Sequence, residues 1–323
     1  MAKNQFTKTN LMWLILIIVS YFLINVFISV GIISKVYQTV MLTIGINIIL
    51  AISLNLIIGI TGQFSLGHAG FLAVGAYSAG VIIKLMNGTM ASIFVGMLVG
   101  VVISFVVALI VAIPTLRLKG DYLAIATLGF GEIIRIVIQN LKITNGAAGL
   151  VLPKLVDWRL IFVFLIISTL VVVCFTNSAP GRACISVRED EIASETMGIN
   201  TTKYKIIAFV IGAILASIAG TLYAGSFYVI KPDIFSFNKS IDILVIVVFG
   251  GMGSYTGSFV SALLISILNT SLQSFADIRT IIYGALLVMI MIFRPQGLLG
   301  TYEFKFSKLI NKFSKKEVRQ WLY

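Results

Sequence analysis

Charged side chains are rare in this sequence, and two of them lie inside an apolar stretch. Glu132 and Arg135 occur three positions apart within residues 121–141. On a helix this spacing puts both side chains on one face, where they can pair. An uncompensated charge at membrane depth is costly, so the two residues either form an internal ion pair or line a polar path. On a path they would meet the ammonium and carboxylate groups of a zwitterion, and the sequence leaves both interpretations open.

Candidates for catalytic or metal-binding chemistry are few. His68 is the single histidine, which excludes an HExxH zinc motif, and we interpret it as a hydrogen-bonded structural residue. Cys174 and Cys184 have no other ligands near them in the sequence and form neither a metal site nor a disulfide framework. No G-x-x-x-x-G-K-[ST] occurs, so the sequence has no phosphate-binding P-loop. We therefore predict no catalytic residue, no metal and no bound cofactor.

The composition excludes an ordinary soluble enzyme. Of the 323 residues, 59% are hydrophobic and 11% are charged, whereas soluble domains average roughly 25% charged residues. The net charge of +12 would suggest a nucleic-acid partner in a cytosolic protein. Here the long runs without charge are the stronger evidence. We therefore predict that the chain is embedded in a lipid bilayer and has no nucleic-acid partner.

Apolar runs of about 20 residues, the length that crosses a bilayer as a helix, recur along the chain. They cover residues 11–33, 36–60, 64–86, 91–116, 121–141, 159–176, 206–229, 240–276 and 278–293. The run 240–276 is interrupted by glycines at 250, 251, 253 and 257, so it either crosses once or enters and comes back. We predict an all-α polytopic integral membrane protein of about ten passages, with eight possible and some helices short, broken or re-entrant.

The positive charges predict the orientation. With ten passages, eight Lys and Arg residues lie on one side: Lys35, Lys84, Lys142, Lys154, Arg159, Lys231, Lys239 and Arg279. Arg135 lies inside a span, and the other fifteen face the cytoplasm by the positive-inside rule. This predicts a multi-pass protein of the cell membrane, the inner or cytoplasmic one. Residues 1–10 and 294–323 are then cytoplasmic tails, residues 11–293 form the transmembrane domain, and residues 177–205 are a cytoplasmic loop.

Two glycine-interrupted segments, 61–70 and 250–257, are typical of the broken helices that line a transporter's central path. Unwound backbone is tolerated at membrane depth only where it is buried in protein or lines a cavity. Close packing explains the glycines equally well, and small residues at four-residue spacing, such as Gly96 with Gly100 and the series Gly212, Ala216 and Gly220, predict helix packing. The polar residues that could line the path are Gln63, Ser65, His68, Glu132, Arg135 and Ser254.

The polar segment 177–205 has the signals of a short helix. Ser186 and Glu189 match a capping box and Gly198 is placed to end the helix, which predicts a helix over 187–197. It is too short to cross a membrane, so it either rests on the protein's own cytoplasmic face or the lipid headgroups, or docks into a groove of a soluble partner. The residues of this predicted coupling helix are Ser186, Arg188, Glu189, Asp190, Glu191, Ile192, Met197 and Gly198.

Four long motifs in this sequence resemble permeases of branched-chain amino acid ABC importers, of the LivM type within the LivH/LivM family. They are TGQFSLGHAGFLAVGAYSAG at 61–80, GDYLAIATLGFGEIIRIVIQN at 120–140, the stretch from GRACISVREDEIASETMGI at 181–199 to TLYAG at 221–225, and SIDILVIVVFGGMGSYTGSFVSALL at 240–264. The motifs occur in the family's order, and the resemblance covers about residues 36–300. The sequence departs from the family in TNGAAGL at 144–150, where relatives have a Gly-Gly pair, and in ASIAG at 216–220.

The resemblance implies a transport subunit without its own ATPase site. ATP and Mg²⁺ are then expected on two cytosolic ATPase subunits, whose closure reaches the membrane through the helix at 187–197. A second homologous permease and an extracytoplasmic solute-binding protein complete the implied assembly. A urea or short-chain amide permease of the same type, and a stand-alone secondary carrier or channel, remain as alternatives.

Overall fold

The computed structural model describes residues 2–31, 34–118 and 120–271, with isolated positions between 282 and 300. The helices in chain order are α1 (Ala2–Ser29), α2 (Lys35–Asn55), α3 (His68–Leu85), α4 (Met90–Thr115), α5 (Asp121–Asn140), α6 (Trp158–Asn177), α7 (Ala179–Glu189), α8 (Glu191–Thr196), α9 (Thr201–Ser226), α10 (Phe237–Gly250) and α11 (Tyr255–Ser271). A π-helical turn (Leu56–Ile60) continues α2, short 3-10 turns lie at Gly146–Ala148 and Pro232–Phe235, and the strands are β1 (Leu150–Val151) and β2 (Val229–Ile230).

The chain divides into two units, Met1–Thr39 with Tyr302–Tyr323, and Val40–Thr301. In the first unit, α1 contains an apolar window, Met12–Ser29, that is long enough to cross a membrane. The second unit holds the core, in which α3, α4 and α9 pack against one another. Almost every residue of α2 from Gly45 onward is buried, as expected for a central helix that is apolar on all sides.

Small residues bring the core helices into close contact. A Cβ atom at Gly220 of α9 would overlap the Leu72 carbonyl of α3, and one at Gly96 of α4 would lie 2.8 Å from the Cα of Ala79. Backbones can approach this closely only where side chains are minimal, which lets helices pack tightly in a lipid environment. The packing role that the four-residue spacing predicts is thus confirmed at both glycines.

Most predicted spans correspond to single helices, and the all-α polytopic membrane fold is confirmed. Within the part of the chain that the structure describes, six helical segments have both the length and the hydropathy to cross a bilayer: Met12–Ser29, Lys35–Ile60, His68–Leu85, Met90–Thr115, Trp158–Asn177 and Thr201–Ser226. The run 121–141 forms α5, a 20-residue helix that carries the Glu132 and Arg135 charges. The run 64–86 begins to be helical only at His68.

The run 240–276 is a pair of helices, not one. After α10 the chain turns at residues 251–254. There Gly251 and Gly253 have φ values of +111° and +90°, which residues other than glycine rarely adopt. The Oγ of Ser261 donates a 2.6 Å hydrogen bond to the Ile246 carbonyl, so α11 returns alongside α10. With 14 residues, α10 is about 21 Å long, shorter than a bilayer core of about 30 Å. The total of ten passages stays a prediction, since the run 278–293 lies mostly outside the described residues.

A two-residue antiparallel ladder joins the segments that follow α5 and α9. Leu150 pairs with Ile230 and Val151 with Val229. The pairing brings together the segments that carry Lys154 and Lys231. It is the one strand pair in the described part of a chain that the sequence predicts to be all-α.

Candidate translocation and coupling site

The polar segment 177–205 contains two helices where the sequence predicts one over 187–197. The first, α7, begins after Ser178, whose Oγ accepts a 3.3 Å hydrogen bond from the main-chain N–H three residues on. The second, α8, begins after Asp190, whose Oδ1 accepts a 3.0 Å hydrogen bond in the same way. Ser186 and Glu189 lie in the C-terminal part of α7. The predicted capping box is therefore wrong, because the acidic run supplies its own N-cap residue one position after Glu189.

The predicted end of the helix is confirmed at Gly198. Its φ is +82°, its N–H donates to the Glu195 carbonyl at 2.9 Å, and the N–H of Ile199 donates to the Ser194 carbonyl at 3.0 Å. These two bonds are the Schellman pattern, which satisfies carbonyls at a helix C-terminus. The chain then enters α9 with Asn200 as N-cap residue, its side chain accepting from the Lys203 N–H.

Three polar contacts hold α8 against its neighbours. Lys205 Nζ of α9 lies 2.6 Å from Glu191 Oε1, Thr201 Oγ1 donates to Glu195 at 2.7 Å, and the hydroxyls of Ser186 and Ser194 lie 2.8 Å apart. Glu191 thus has a partner within the chain, the ammonium group of Lys205.

Two large apolar side chains, one on α8 and one directly after it, are exposed. Ile192 is 73% exposed and Met197 is 81% exposed. We call these two side chains the α8 surface.

In the preceding helix, α7, Val187 and Cys184 are buried against the body of the protein. Burial raises the pKa of the Cys184 thiol to about 11.

Arg188, at the end of α7, extends inward instead of joining the α8 surface. Its Nη1 donates a 2.6 Å hydrogen bond to the carbonyl of Gly59 in the π-helical turn. Its Nε and Nη2 donate to the carboxylate of Glu189, with 3.1 Å for the Nε bond. A Cβ atom at Gly62 would lie 3.1 Å from the Arg188 Cγ, so glycine leaves space for the arginine stem. The side chain is 31% exposed and lies mostly against α2 and the residues that follow it.

Asn55, a buried residue that the sequence did not single out, joins α2 to the turn between α10 and α11. Its Nδ2 donates to the Ser254 carbonyl and to Ser258 Oγ, both at 2.9 Å. Its Oδ1 accepts from the Gly253 N–H at 2.8 Å. The only sequence signal is an amide side chain inside an apolar run, four residues before Gly59. Ser254, a predicted path residue, is fully buried, and its Oγ accepts from the Gly257 N–H at 3.0 Å in the first turn of α11.

The segment 61–67 leaves the helical path between α2 and α3, and its polar side chains are buried. Gln63 and Ser65 are each 2% exposed. Neither amide atom of Gln63 has a hydrogen-bond partner among the described residues. His68 Nε2 lies 2.7 Å from Ser53 Oγ, whereas its Nδ1 is also unpartnered in the described part of the chain. Buried polar groups normally have partners, so this segment has open capacity for water or a polar ligand.

The beginnings of α3 and α10 lie next to each other and next to α5. The Leu66 N–H donates to Thr127 Oγ1 of α5, and the Ala69 N–H donates to Ser240 Oγ of α10, both at 3.1 Å. A Cβ atom at Gly70 would lie 2.9 Å from the Cα of Gly131, so α3 and α5 pack backbone to backbone. These contacts place the start of α3 beside the interior of α5, as expected for a broken helix.

Glu132 and Arg135 form the predicted pair, with 2.7 Å between Arg135 Nε and Glu132 Oε2. The pair is part of a larger cluster that the sequence did not predict. Glu132 Oε1 accepts a 2.9 Å hydrogen bond from the N–H of Phe237, the first residue of α10. Arg135 Nη1 also lies 3.6 Å from Asp233 Oδ1.

The structure thus sorts the predicted residues into separate groups. Arg188 meets the turn before Ser254, since a Cβ atom at Gly253 would lie 3.2 Å from its Nη1. Glu132 and Arg135 join the start of α10. Gln63 has no polar contact with either group among the described residues. The same residues contain no cluster of three or more His, Cys, Asp or Glu side chains placed to hold a metal.

Comparison with known proteins decides the family. The model of the family described as "Branched-chain amino acid transport system / permease component" matches residues 36–294, which include α2 except its first residue and all of α3 to α11. The chain belongs to this family. The match covers both glycine-interrupted segments, residues 177–205 and the Glu132 cluster.

The relatives are named for branched-chain amino acid transport. The permease is 37% identical over 222 residues to the high-affinity branched-chain amino acid transport system permease protein LivM of Salmonella typhimurium, an alignment of 58% of this chain and 52% of the relative. It is 29% identical over 161 residues to LivH of Escherichia coli, covering 49% and 51%. The chain spans about half the length of these curated relatives. No solved structure matches it.

Proposed function

We propose that this permease is a transmembrane subunit of an ATP-binding cassette importer that moves branched-chain or similar hydrophobic amino acids into the cell. The observation that carries the proposal is the family match across residues 36–294, within which lie both helix interruptions, at 61–67 and 251–254. Interrupted helices are typical of transporter paths. The chain has no P-loop, so ATP hydrolysis falls to other subunits.

The proposed assembly contains a second homologous permease, two cytosolic ATPase subunits that bind ATP and Mg²⁺, and an extracytoplasmic solute-binding protein. Similarity to proteins named LivM and LivH, two permeases of one family, supports pairing with a second permease. In this arrangement the present chain is a transport subunit and not an enzyme. Its site for the ATPase is the α8 surface, because apolar side chains exposed on a charged loop favour a protein partner.

For the translocation path we favour the segment that holds Gln63, Ser65 and His68. The unpartnered amide of Gln63 and the free Nδ1 of His68 offer hydrogen bonds to water or to a passing zwitterion. Glu132 and Arg135 are better explained as architectural, because each already has partners in the chain. Ser254 is likewise better explained as architectural, because it precedes α11 and its Oγ accepts from the Gly257 N–H in the first turn of that helix.

The orientation that accompanies this function places both termini and residues 177–205 in the cytoplasm of a cell whose inner or cytoplasmic membrane holds the protein. Reporter fusions after Lys8, Met197 and Lys316 should report the inside, and one after Lys231 the outside. A reporter after Met197 found outside would remove the loop from reach of a cytosolic ATPase and contradict the proposed function.

Transport itself is tested with the complete assembly in proteoliposomes. We expect uptake of labelled leucine that needs external solute-binding protein and internal ATP. Labelled urea added to the same vesicles should not accumulate. Uptake of urea in place of leucine would favour the amide permease, and ATP-independent uptake by this chain alone would favour a secondary carrier or channel.

A further inference from the structure

Arg188 joins three parts of the structure that the coupling loop must influence. It belongs to the last turn of α7, its Nη1 donates to Gly59 in the π-helical turn of α2, and the same Nη1 lies beside Gly253 in the turn between α10 and α11. Both turns adjoin the interrupted segments. One guanidinium thus connects the cytoplasmic loop with the two places where the membrane helices are broken.

The Gly59 carbonyl is available because the helix ends irregularly. The N–H of Gly62 donates to Ile58 and the N–H of Gln63 donates to Ile57, so neither bond goes to Gly59. A carbonyl left open at a helix C-terminus carries partial negative charge and favours a cation. Arg188 meets this requirement with a charge-assisted bond of 2.6 Å.

Asn55 makes the same junction rigid from inside. Its three hydrogen bonds to Gly253, Ser254 and Ser258 hold the α10–α11 turn on α2, one helical turn before Gly59. A displacement of α7 that moves the Arg188 guanidinium therefore moves the end of α2, and the Asn55 bonds carry the α10–α11 turn with it. Glu189 accepts hydrogen bonds from the other guanidinium nitrogens of Arg188 and so keeps the Arg188 side chain directed at Gly59.

We infer that Arg188 is a positioning residue that transmits displacement of α7 and α8 to the broken segments of α2 and α10–α11, and that it does not itself bind the ATPase. The inference rests on the proposed function, since the ATPase supplies the displacement. It separates docking, performed by the α8 surface, from transmission, performed by one inward side chain.

The test uses the complete assembly with the variants Arg188→Ala and Arg188→Lys. Arg182→Ala is the matched control, because Arg182 lies on the same helix and, among the described residues, its side chain donates only to the Asn177 carbonyl, at 2.9 Å. We expect the Arg188→Ala assembly to keep its ATPase during purification while ATP-driven uptake falls about 5- to 150-fold, the usual range of coupling between sites. Lysine still offers one cationic donor, so Arg188→Lys should restore part of the uptake.

Two results with Arg188→Ala would overturn the inference: loss of the ATPase, which would make Arg188 a docking residue, or uptake equal to that of the wild type. Failure of the wild-type assembly to take up leucine would instead reject the proposed function.

A second measurement needs no Arg188 variant. Spin labels at Thr196 and Met252 should keep the same distance in the nucleotide-free and ATP-trapped assembly, because the two sites move together. A distance that changes on ATP binding in the wild type would show that the junction does not transmit the displacement.

Discussion

The main-chain N–H of Phe237 donates a 2.9 Å hydrogen bond to Glu132 Oε1, which places the carboxylate of one helix at the N-terminus of another. The first N–H groups of α10 have no partners within the helix, and a negative charge there is favourable. The other oxygen of Glu132 binds Arg135 at 2.7 Å. The ion pair that the sequence predicts on α5 therefore also fixes where the short helix α10 begins.

Replacing Glu132 should cost more than breaking an isolated pair. Glu132→Leu removes both the bond to Phe237 and the partner of Arg135, and we expect the free energy of unfolding in detergent to fall by about 2–4 kcal/mol. Asp233→Asn is the control, because Asp233 is 76% exposed and 3.6 Å from Arg135, and we expect at most about 0.5 kcal/mol there.

Exchanging the two charges provides a stricter test of the same cluster. An isolated pair would tolerate Glu132→Arg combined with Arg135→Glu, whereas here the exchange puts a cation at the start of α10 and a carboxylate beside Asp233. The exchanged protein should be no more stable than Glu132→Leu. Recovery of wild-type stability would show that the bond to Phe237 contributes little.

The Asn55 contacts predict a second stability effect. Asn55→Leu conserves approximate size but leaves the Gly253 N–H and the Ser254 carbonyl without their partner in a buried place. Each unsatisfied buried group costs about 1–3 kcal/mol, so the free energy of unfolding should fall by about 2–5 kcal/mol. Asn140→Leu is the matched control, since the exposed Asn140 is at the end of α5 and its side chain, in the described part of the chain, bonds within its own helix, to the Ile136 carbonyl. Equal losses in the two variants would contradict the role of Asn55.

The helices were predictable where composition alone decides them. A run of apolar residues such as 91–116 has one stable state in a bilayer, and α4 follows it to within a residue. The break at Asp190 was not predictable from capping rules, because three consecutive acidic residues offer competing N-cap positions. Tertiary contacts of Ser186 and Lys205 select Asp190, and no local pattern reports such contacts.

The candidate site was predictable only where residue type or spacing reveals it. The polarity of Gln63 and the spacing of Glu132 and Arg135 are visible in the sequence. Asn55 and Phe237 matter because of residues roughly 200 and 100 positions away in the chain, which the structure brings to them. A main-chain N–H at the start of α10 leaves no signal in the type of its residue.

Thiol chemistry at Cys184 should report whether α7 is packed on the body of the protein. Burial raises the pKa of this thiol to about 11 from a usual value near 9, so at pH 8 the folded protein has about 100-fold less thiolate than an unfolded chain. In a Cys174→Ser background, maleimide labelling of Cys184 should be slowed by at least that factor and should accelerate about tenfold per pH unit up to about pH 11.

The same shift has a defined effect on stability. Between about pH 9 and 11 the unfolded chain has lost the Cys184 proton while the folded protein retains it. The free energy of unfolding therefore declines as the pH rises through this window. Cys184→Ala should remove that part of the decline. Rapid labelling of the folded protein at pH 8 would mean that α7 does not bury the thiol.

The α8 surface should contribute to docking of the ATPase. Ile192 of α8 and Met197 directly after it are large exposed apolar side chains, while Glu191 and Glu195 have partners within the chain. Ile192→Ser with Met197→Ser removes apolar contact area without disturbing those internal bonds. If α8 docks the ATPase, the pair should act as an interface centre, where truncations cost more than about 1 kcal/mol each.

We expect the affinity of the permease for its ATPase to fall about 10- to 100-fold in titrations of the purified subunits. Membrane insertion and thermal stability should remain unchanged, because neither side chain is buried. Thr196→Ser, on the same helix, is the control and should bind normally. Unchanged affinity in the double variant would exclude the α8 surface as the docking site. The ATPase would then have to contact the polar side chains of α8, α7 or another cytoplasmic segment.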